Sequence, residues 1–341
     1  MLDLIRPSIL EVTAYSSARS EYEGNANIYL DANESPYGTY NRYPDPLQKE
    51  LKKAIALKEQ INDNQIFIGN GSDEAIDLLY RIFCEPGIDN AATFTPTYGM
   101  YEVSAEINNV NFIKIPLNNN YLIDVEQSID LLKKEERLKL VFVCSPNNPI
   151  GNVIPIDTIS TIAKKVNALV VIDEAYIEFS DQESAVSLLA AYSNIVILRT
   201  FSKAYGLAGA RIGYAIAAPQ IIQLFNKIKP PYNVSSWSQK KALKKIRNQE
   251  KMRTQLNLNK NERERIQKEL TKLEIVDNIL PSNTNFLLVQ FTNANQIFKT
   301  LIAHGIIVRD RTKQVTNALR ITIGTPTEND SLISCLKQIK K

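Results

Sequence analysis

Histidine is almost missing from this 341-residue chain; the one present is His304. A Ser-His-Asp hydrolytic triad needs an imidazole beside its nucleophile. His304 instead ends a helical pattern just before Gly305, a position that helix termination and ordinary packing explain. Cysteine is also scarce, and Cys84, Cys144 and Cys335 are odd in number and scattered. With one histidine, they exclude a His/Cys zinc site; in apolar surroundings they read as buried, reduced thiols, which points to the cytoplasm. No stretch reaches the roughly 18 consecutive apolar residues of a spanning helix, so no membrane partner is expected. Met1 to Pro7 lacks the basic lead and apolar core of a signal peptide. An excess of one charge is missing as well: 40 basic residues face 37 acidic ones, a formal net charge of +3, and no nucleic-acid partner is implied. The basic stretch from Lys240 to Lys272 is interleaved with Glu250, Glu262, Glu264 and Glu269, as on the solvated face of long helices. There is no internal repeat, and Asn118-Asn119-Asn120 reads as a turn.

What is present describes an ordinary globular protein, 44% hydrophobic and 23% charged. Its length exceeds the roughly 100–200 residues of one compact domain, so two domains sharing a cleft are expected. Short apolar runs alternate with helical patterns: Gln65 to Ile68, Ala91 to Phe94, Leu138 to Cys144, Ala168 to Ile172, Asn194 to Leu198 and Ile212 to Ala217. Runs apolar on both faces predict a mainly parallel α/β sheet flanked by helices. One helix is expected behind a cap at Asp45-Pro46, carrying Leu47, Leu51, Ala54 and Ile55. Another is expected behind Ser72 as cap, carrying Ile76, Leu79, Tyr80 and Phe83. After Pro230-Pro231 the pattern changes to a long charged helix through about Leu273. Strands at Asn285 to Val289, Ile306 to Val308 and Leu319 to Ile323 follow, then a last helix from Glu328 to Lys340. The expected division is an arm at 1–30, a large domain at 31–240 and a smaller α+β domain at 241–341.

The chemistry sits where apolar runs stop. In Arg199-Thr200-Phe201-Ser202-Lys203, one lysine follows a strand, with Arg211 close behind. A lysine amine forms a Schiff base with an aldehyde, while Thr200, Ser202 and Arg211 can hold a phosphate. Asp173, ending another run, can keep a ring nitrogen protonated, and Asn148 and Tyr176 can donate to a phenolic oxygen. Gly69-Asn70-Gly71-Ser72-Asp73-Glu74 supplies glycine-permitted turns and helix-start N–H groups for a dianion. Tyr98 offers a ring for stacking. Together these groups meet the needs of pyridoxal 5'-phosphate, with Lys203 as both anchor and base.

Asn148-Pro149, Asp173-Glu174-Ala175-Tyr176 and Ser202-Lys203 through Arg211 resemble the fold-type I aminotransferases over most of the chain. More narrowly, the chain resembles the histidinol-phosphate aminotransferases. That likeness rests on Leu30 to Glu34, Asn41 to Asp45, Gly69 to Glu74, Pro96 to Tyr101, His304 to Asp310 and Leu319 to Thr322. The resemblance implies transamination between L-histidinol phosphate and 2-oxoglutarate. It implies a homodimer in which Tyr43 reaches the partner's cofactor phosphate, Arg309 and Arg320 face the substrate's anionic end, and Tyr15, Asn33 and Glu34 lie near the substrate. Ile150 departs from the threonine common in Asn-Pro-Thr-Gly. An aromatic amino-acid aminotransferase, a threonine-phosphate decarboxylase of the same fold and a non-catalytic cofactor-binding module are the alternatives.

Overall fold

Seven short runs, most of them apolar, form one sheet because each can pair edge to edge while helices cover both faces. In chain order they are β1 (Ile66–Gly69), β2 (Asn90–Thr95), β3 (Asn111–Pro116), β4 (Leu138–Cys144), β5 (Leu169–Asp173), β6 (Ile195–Thr200) and β7 (Gly213–Ala217). The computed structural model describes residues 2–16, 18–22 and 27–339. The strand order is β1-β7-β6-β5-β4-β2-β3. Pairing from β3 through β6 is parallel, and β7 runs antiparallel to both of its neighbours.

Alternate strand residues feed opposite layers. Val141, Val143, Val170, Ile172, Ile195 and Ile197 pack with Leu51 and Ile55 of the helix Lys49–Glu59 and with Ile159 and Ile162 of Ile156–Lys165. Leu140, Phe142, Leu169, Val171, Val196 and Leu198 pack with Ile76, Leu79 and Phe83 of the helix Ser72–Phe83 and with Ile221 and Phe225 of Pro219–Ile228. A buried polar layer lies behind the strand ends. Arg199 Nε donates to Glu174 Oε2 at 2.8 Å, and its other nitrogens reach Glu178 Oε1 and Ser184 Oγ. This network ties the ends of β5 and β6 together.

A second sheet, β10-β11-β9-β8, is antiparallel throughout: β8 (Val276–Ile279), β9 (Phe286–Phe291), β10 (Arg309–Asp310) and β11 (Ala318–Thr322). Helices Gln249–Leu270, Ala294–Ala303 and Pro326–Lys337 cover it through Ile266, Leu270, Ile297, Leu301, Leu332 and Leu336. No helix among the described residues is long and apolar enough to cross a membrane.

Several boundaries differ from the sequence expectation. Asp45 accepts from the N–H groups of Leu47 and Lys49, but the helix begins only at Lys49, after Gln48 in a left-handed conformation (φ 48°). Ser72 is the first helical residue rather than the cap; Gly71 holds that position at φ 84°, which suits glycine. The long charged segment is two helices, Ser236–Arg247 and Gln249–Leu270, separated at Asn248. Ile306 to Val308 is not a strand; the paired residues are Arg309 and Asp310. The last helix is Pro326–Lys337, opened by a Thr325/Glu328 capping box. His304 caps the C-terminus of Ala294–Ala303, with its Nδ1 2.9 Å from Thr300 O.

Candidate active site

Parallel strands put their carboxyl ends on one edge, and open α/β sheets bind ligands there. β4 ends at Cys144 and enters the turn carrying Asn148; β5 ends on Asp173; β6 ends on Thr200 and leads to Ser202 and Lys203. β1 delivers Gly71 and Ser72 to the same edge. The reversed β7 starts there, which puts Arg211 beside them.

These groups line one cavity of about 420 Å³, within the roughly 300–1,000 Å³ range of small-molecule sites. Ser72, Asp73, Tyr98, Asn148, Asp173, Tyr176, Thr200, Ser202, Lys203, Arg211, Arg309 and Arg320 all border it. Glu74 does not: its carboxylate accepts from Asn70 N–H and from Asn233 Nδ2. Asn33, Glu34 and Tyr43 line a second cavity with Trp237, the only tryptophan. Glu34 accepts there from Arg42 at 2.7 Å and from the Tyr43 N–H at 2.6 Å. Tyr15 is 71% exposed.

Asp173 is buried, and its carboxylate accepts from Tyr101 Oη at 2.7 Å and from the Ala175 N–H at 3.0 Å. Burial pushes its carboxyl up to about 6, moderated by those two donors. Lys203 Nζ stands 5.7 Å from the centre of the Tyr176 ring. Burial and the Arg320 charge lower its pKa, while Asp173 and Asp73 pull the other way, so the amine sheds its proton more readily than an exposed lysine. Asn148 Oδ1 accepts from Arg320, which leaves its amide nitrogen as the donor. Burial pushes the Tyr176 hydroxyl upward and keeps it a proton donor.

One end of the cavity is built for an anion. The helix Ser72–Phe83 starts with no side-chain cap, so its first N–H groups are open to a ligand. Gly71 allows Arg211 to lie over that start, since a Cβ there would stand 2.6 Å from the guanidinium. Arg211 pairs with Asp73 at 3.3 Å, both side chains being more than a third exposed, so a dianion has only a weak pair to displace. Opposite, Arg309 and Arg320 are register partners on β10 and β11. Arg320 Nε and Arg311 Nε are buried and have no hydrogen-bond partner among the described residues. An amine, an enclosed acid, an uncapped helix start and guanidinium Nε groups without an acceptor make up the set of groups that pyridoxal phosphate and an anionic substrate require.

The sequence reading missed Arg311 and Tyr101. Each carried a signal: Arg311 is two residues from Arg309 in an extended segment, and Tyr101 is three residues from Tyr98 at a helix start. Asn147 was also passed over; it accepts from Thr97 at 2.9 Å and donates to Pro96 O, joining the Tyr98 segment to the Asn148 turn.

Residues 22–336 match the family described as aminotransferase class I and II, and the chain belongs to it. Within it, the chain is 46% identical over 341 residues to the histidinol-phosphate aminotransferase of Parabacteroides distasonis, covering 99% of this chain and 98% of that one. It is 44% identical to the protein of that name from Flavobacterium psychrophilum, covering 99% and 98%. The crystal structure of histidinol-phosphate aminotransferase from Sinorhizobium meliloti in complex with pyridoxal-5'-phosphate superposes with a TM-score of 0.82 at 28% identity, over 90% of this chain and 89% of that one.

Proposed function

We propose that this protein transfers an amino group between L-histidinol phosphate and 2-oxoglutarate, giving imidazole acetol phosphate and L-glutamate in histidine biosynthesis, with pyridoxal 5'-phosphate as cofactor. The observation that carries the proposal is the meeting of Lys203 and Asp173 in a cavity that also presents Arg309, Arg311 and Arg320. The cofactor, when bound, supplies the carbonyl that takes the amino group and a cationic ring that accepts electron density.

The chain's own residues do the rest. Lys203 Nζ would hold the cofactor through its aldehyde, and the same amine would serve as the base that moves a proton. Asp173 holds the ring nitrogen's proton by its charge. The Asn148 amide and the Tyr176 hydroxyl donate to the phenolic oxygen. The N–H groups at Ser72 and Asp73, the hydroxyls of Thr200 and Ser202, and Arg211 would hold the phosphate, and Tyr98 would offer its ring for stacking. Arg309, Arg311 and Arg320 clamp either a phosphate ester or a carboxylate, which suits an enzyme with both substrates.

We further propose a homodimer in the cytoplasm. Leu30, Tyr37, Tyr40 and Ile28 are each more than 70% exposed, an apolar surface that a second copy would cover, and Tyr43 lies on that face. In this reading Tyr43, Tyr15, Asn33 and Glu34 serve the partner's cavity. The three cysteines are free and buried, as expected in a reducing compartment.

The deciding experiment mixes cofactor-loaded protein with histidinol phosphate, phenylalanine, tyrosine or threonine phosphate and follows the visible absorbance. Histidinol phosphate should bleach it and 2-oxoglutarate should restore it. Carbon dioxide from threonine phosphate, with no response to histidinol phosphate, would overturn the assignment. Lys203→Ala should lose both the visible band and nearly all turnover.

A further inference from the structure

The helix Pro219–Ile228 runs into Lys229-Pro230-Pro231-Tyr232-Asn233, a stretch that none of the cavity chemistry uses. Lys229 is 7% exposed. Its Nζ turns inward onto four oxygens: Pro46 O and Pro231 O at 2.9 Å, Pro230 O at 3.3 Å and Asn233 Oδ1 at 3.4 Å. All four are neutral. A surface lysine would reach for water, and a paired one would face a carboxylate. Here carbonyl dipoles replace the hydration shell of the ammonium, as they do for monovalent cations in protein filters. Three of the four oxygens belong to prolines, whose missing N–H leaves the pocket rich in acceptors and poor in donors. Burial pushes the Lys229 pKa down to about 8, although Glu74 and Asp45 favour the charged form.

The cage joins two segments distant in sequence, and each carries one ring of a stack: Tyr43 and Tyr232, with centroids 4.3 Å apart and planes 13° from parallel. Gln48 Nε2 strengthens the joint by donating to Pro46 O at 2.9 Å and Asn233 Oδ1 at 3.3 Å. From the cage a chain of hydrogen bonds leads inward. Asn233 Nδ2 donates to Ile68 O at 3.0 Å and Glu74 Oε2 at 2.9 Å, and Glu74 accepts the Asn70 N–H. The Asn70-Gly71 turn is what presents the helix start at Ser72 to the cavity.

We infer that the Lys229 ammonium is a tethered cation that fastens the Tyr43 segment to the Asn70–Glu74 turn and positions the phosphate-holding helix start, and that a free potassium or methylammonium ion can replace it once the side chain is removed. The link to the phosphate rests on the cofactor proposed above; the cage itself does not. Glu74, turned away from the cavity, thereby has a positioning role.

Lys229→Ala keeps the four oxygens and removes the cation. Thermal midpoints of the cofactor-free protein and dissociation constants for pyridoxal phosphate would be measured at one ionic strength in potassium, methylammonium and tetramethylammonium chloride. In tetramethylammonium the variant should melt below wild type and bind pyridoxal phosphate on the order of tenfold more weakly. Potassium or methylammonium should restore both, and wild type should respond equally to all three salts. Lys229→Met fills similar volume without charge and should stay impaired in every salt. Three results would overturn the inference: Lys229→Ala matching wild type throughout, Lys229→Ala failing to fold even in potassium, or Lys229→Met behaving as wild type. Restored melting with unchanged cofactor affinity would remove the positioning role. A wild-type protein that binds no pyridoxal phosphate would defeat the proposed function and leave the melting test of the cage intact.

Discussion

Asp173 keeps its carboxylate away from water for the sake of chemistry, and the protein alone is less stable for it. Its folded pKa of about 6 exceeds the ordinary 3.8, so the folded state binds the proton more tightly than the unfolded chain does. Ionisation therefore destabilises the fold: the penalty is absent below the unfolded value, grows between the two values and is full above the higher one. Asp173→Asn should raise the stability of the cofactor-free protein at neutral pH by about 1–3 kcal/mol while removing turnover. Melting curves across that pH window should show the gap between variant and wild type opening as pH rises, then holding constant. Arg311 permits a second test. Burial and the neighbouring Arg320 and Arg309 charges press its pKa down to about 10, so the three guanidiniums repel one another. Arg311→Gln should raise KM for histidinol phosphate about tenfold and leave kcat within about twofold, read from steady-state kinetics. At this scale the sequence was informative wherever a polar residue ended an apolar run: Asp173, Lys203 and Asn148 stood out. Arg311 did not, because a charged residue just past a two-residue edge strand looks like surface until the fold brings it to the cavity that holds Arg320.

The secondary-structure elements divide along similar lines. The buried strands β4, β5 and β6 were legible because a strand covered on both faces must be apolar throughout. β3 was missed because it is an edge strand with only Ile115 fully buried, and its Asn111, Lys114 and Pro116 look like loop. β8, with Asp277 and Asn278 exposed, was missed for the same reason. Helix starts were displaced by one to three residues because Gly71 and Gln48 take positive-φ conformations that no hydrophobic period reveals. One close contact holds the anion end together. A Cβ on Gly213 would stand 2.4 Å from Ser72 N and 2.7 Å from Gly71 C, both backbone atoms that cannot swing aside. Gly213→Ala should therefore push the helix start outward and weaken pyridoxal phosphate binding on the order of tenfold, measured by reconstitution of the cofactor-free protein.

For the whole molecule, the sequence pattern revealed a parallel sheet followed by a second sheet, but not how the two meet. Ile150, noted as a departure from threonine, is 2% exposed and packs with Leu280, Leu288, Val315 and Ala318. It is thus an apolar contact between the Asn148 turn and the sheet that carries Arg320. Ile150→Thr should lower stability by about 2 kcal/mol and reduce kcat/KM by disturbing the Asn148 to Arg320 contact, checked by melting and steady-state kinetics. Tyr15, Asn33, Glu34 and Tyr43 were legible only through the family resemblance; Asn33, Glu34 and Tyr43 line a cavity separate from that of Lys203, and the homodimer proposed above raises the question whether a second copy is seated there.

Trp237 gives that question a direct optical answer. Its indole is 44% exposed, beside the cavity that holds Asn33, Glu34 and Tyr43, with Lys241 Nζ 5.4 Å from its ring centre. Because no other indole contributes, ultraviolet emission excited at long wavelength comes from this single point. A second copy seated there would shift the emission to the blue, and dilution would return it to the red with a midpoint chain concentration equal to the dissociation constant of the pair.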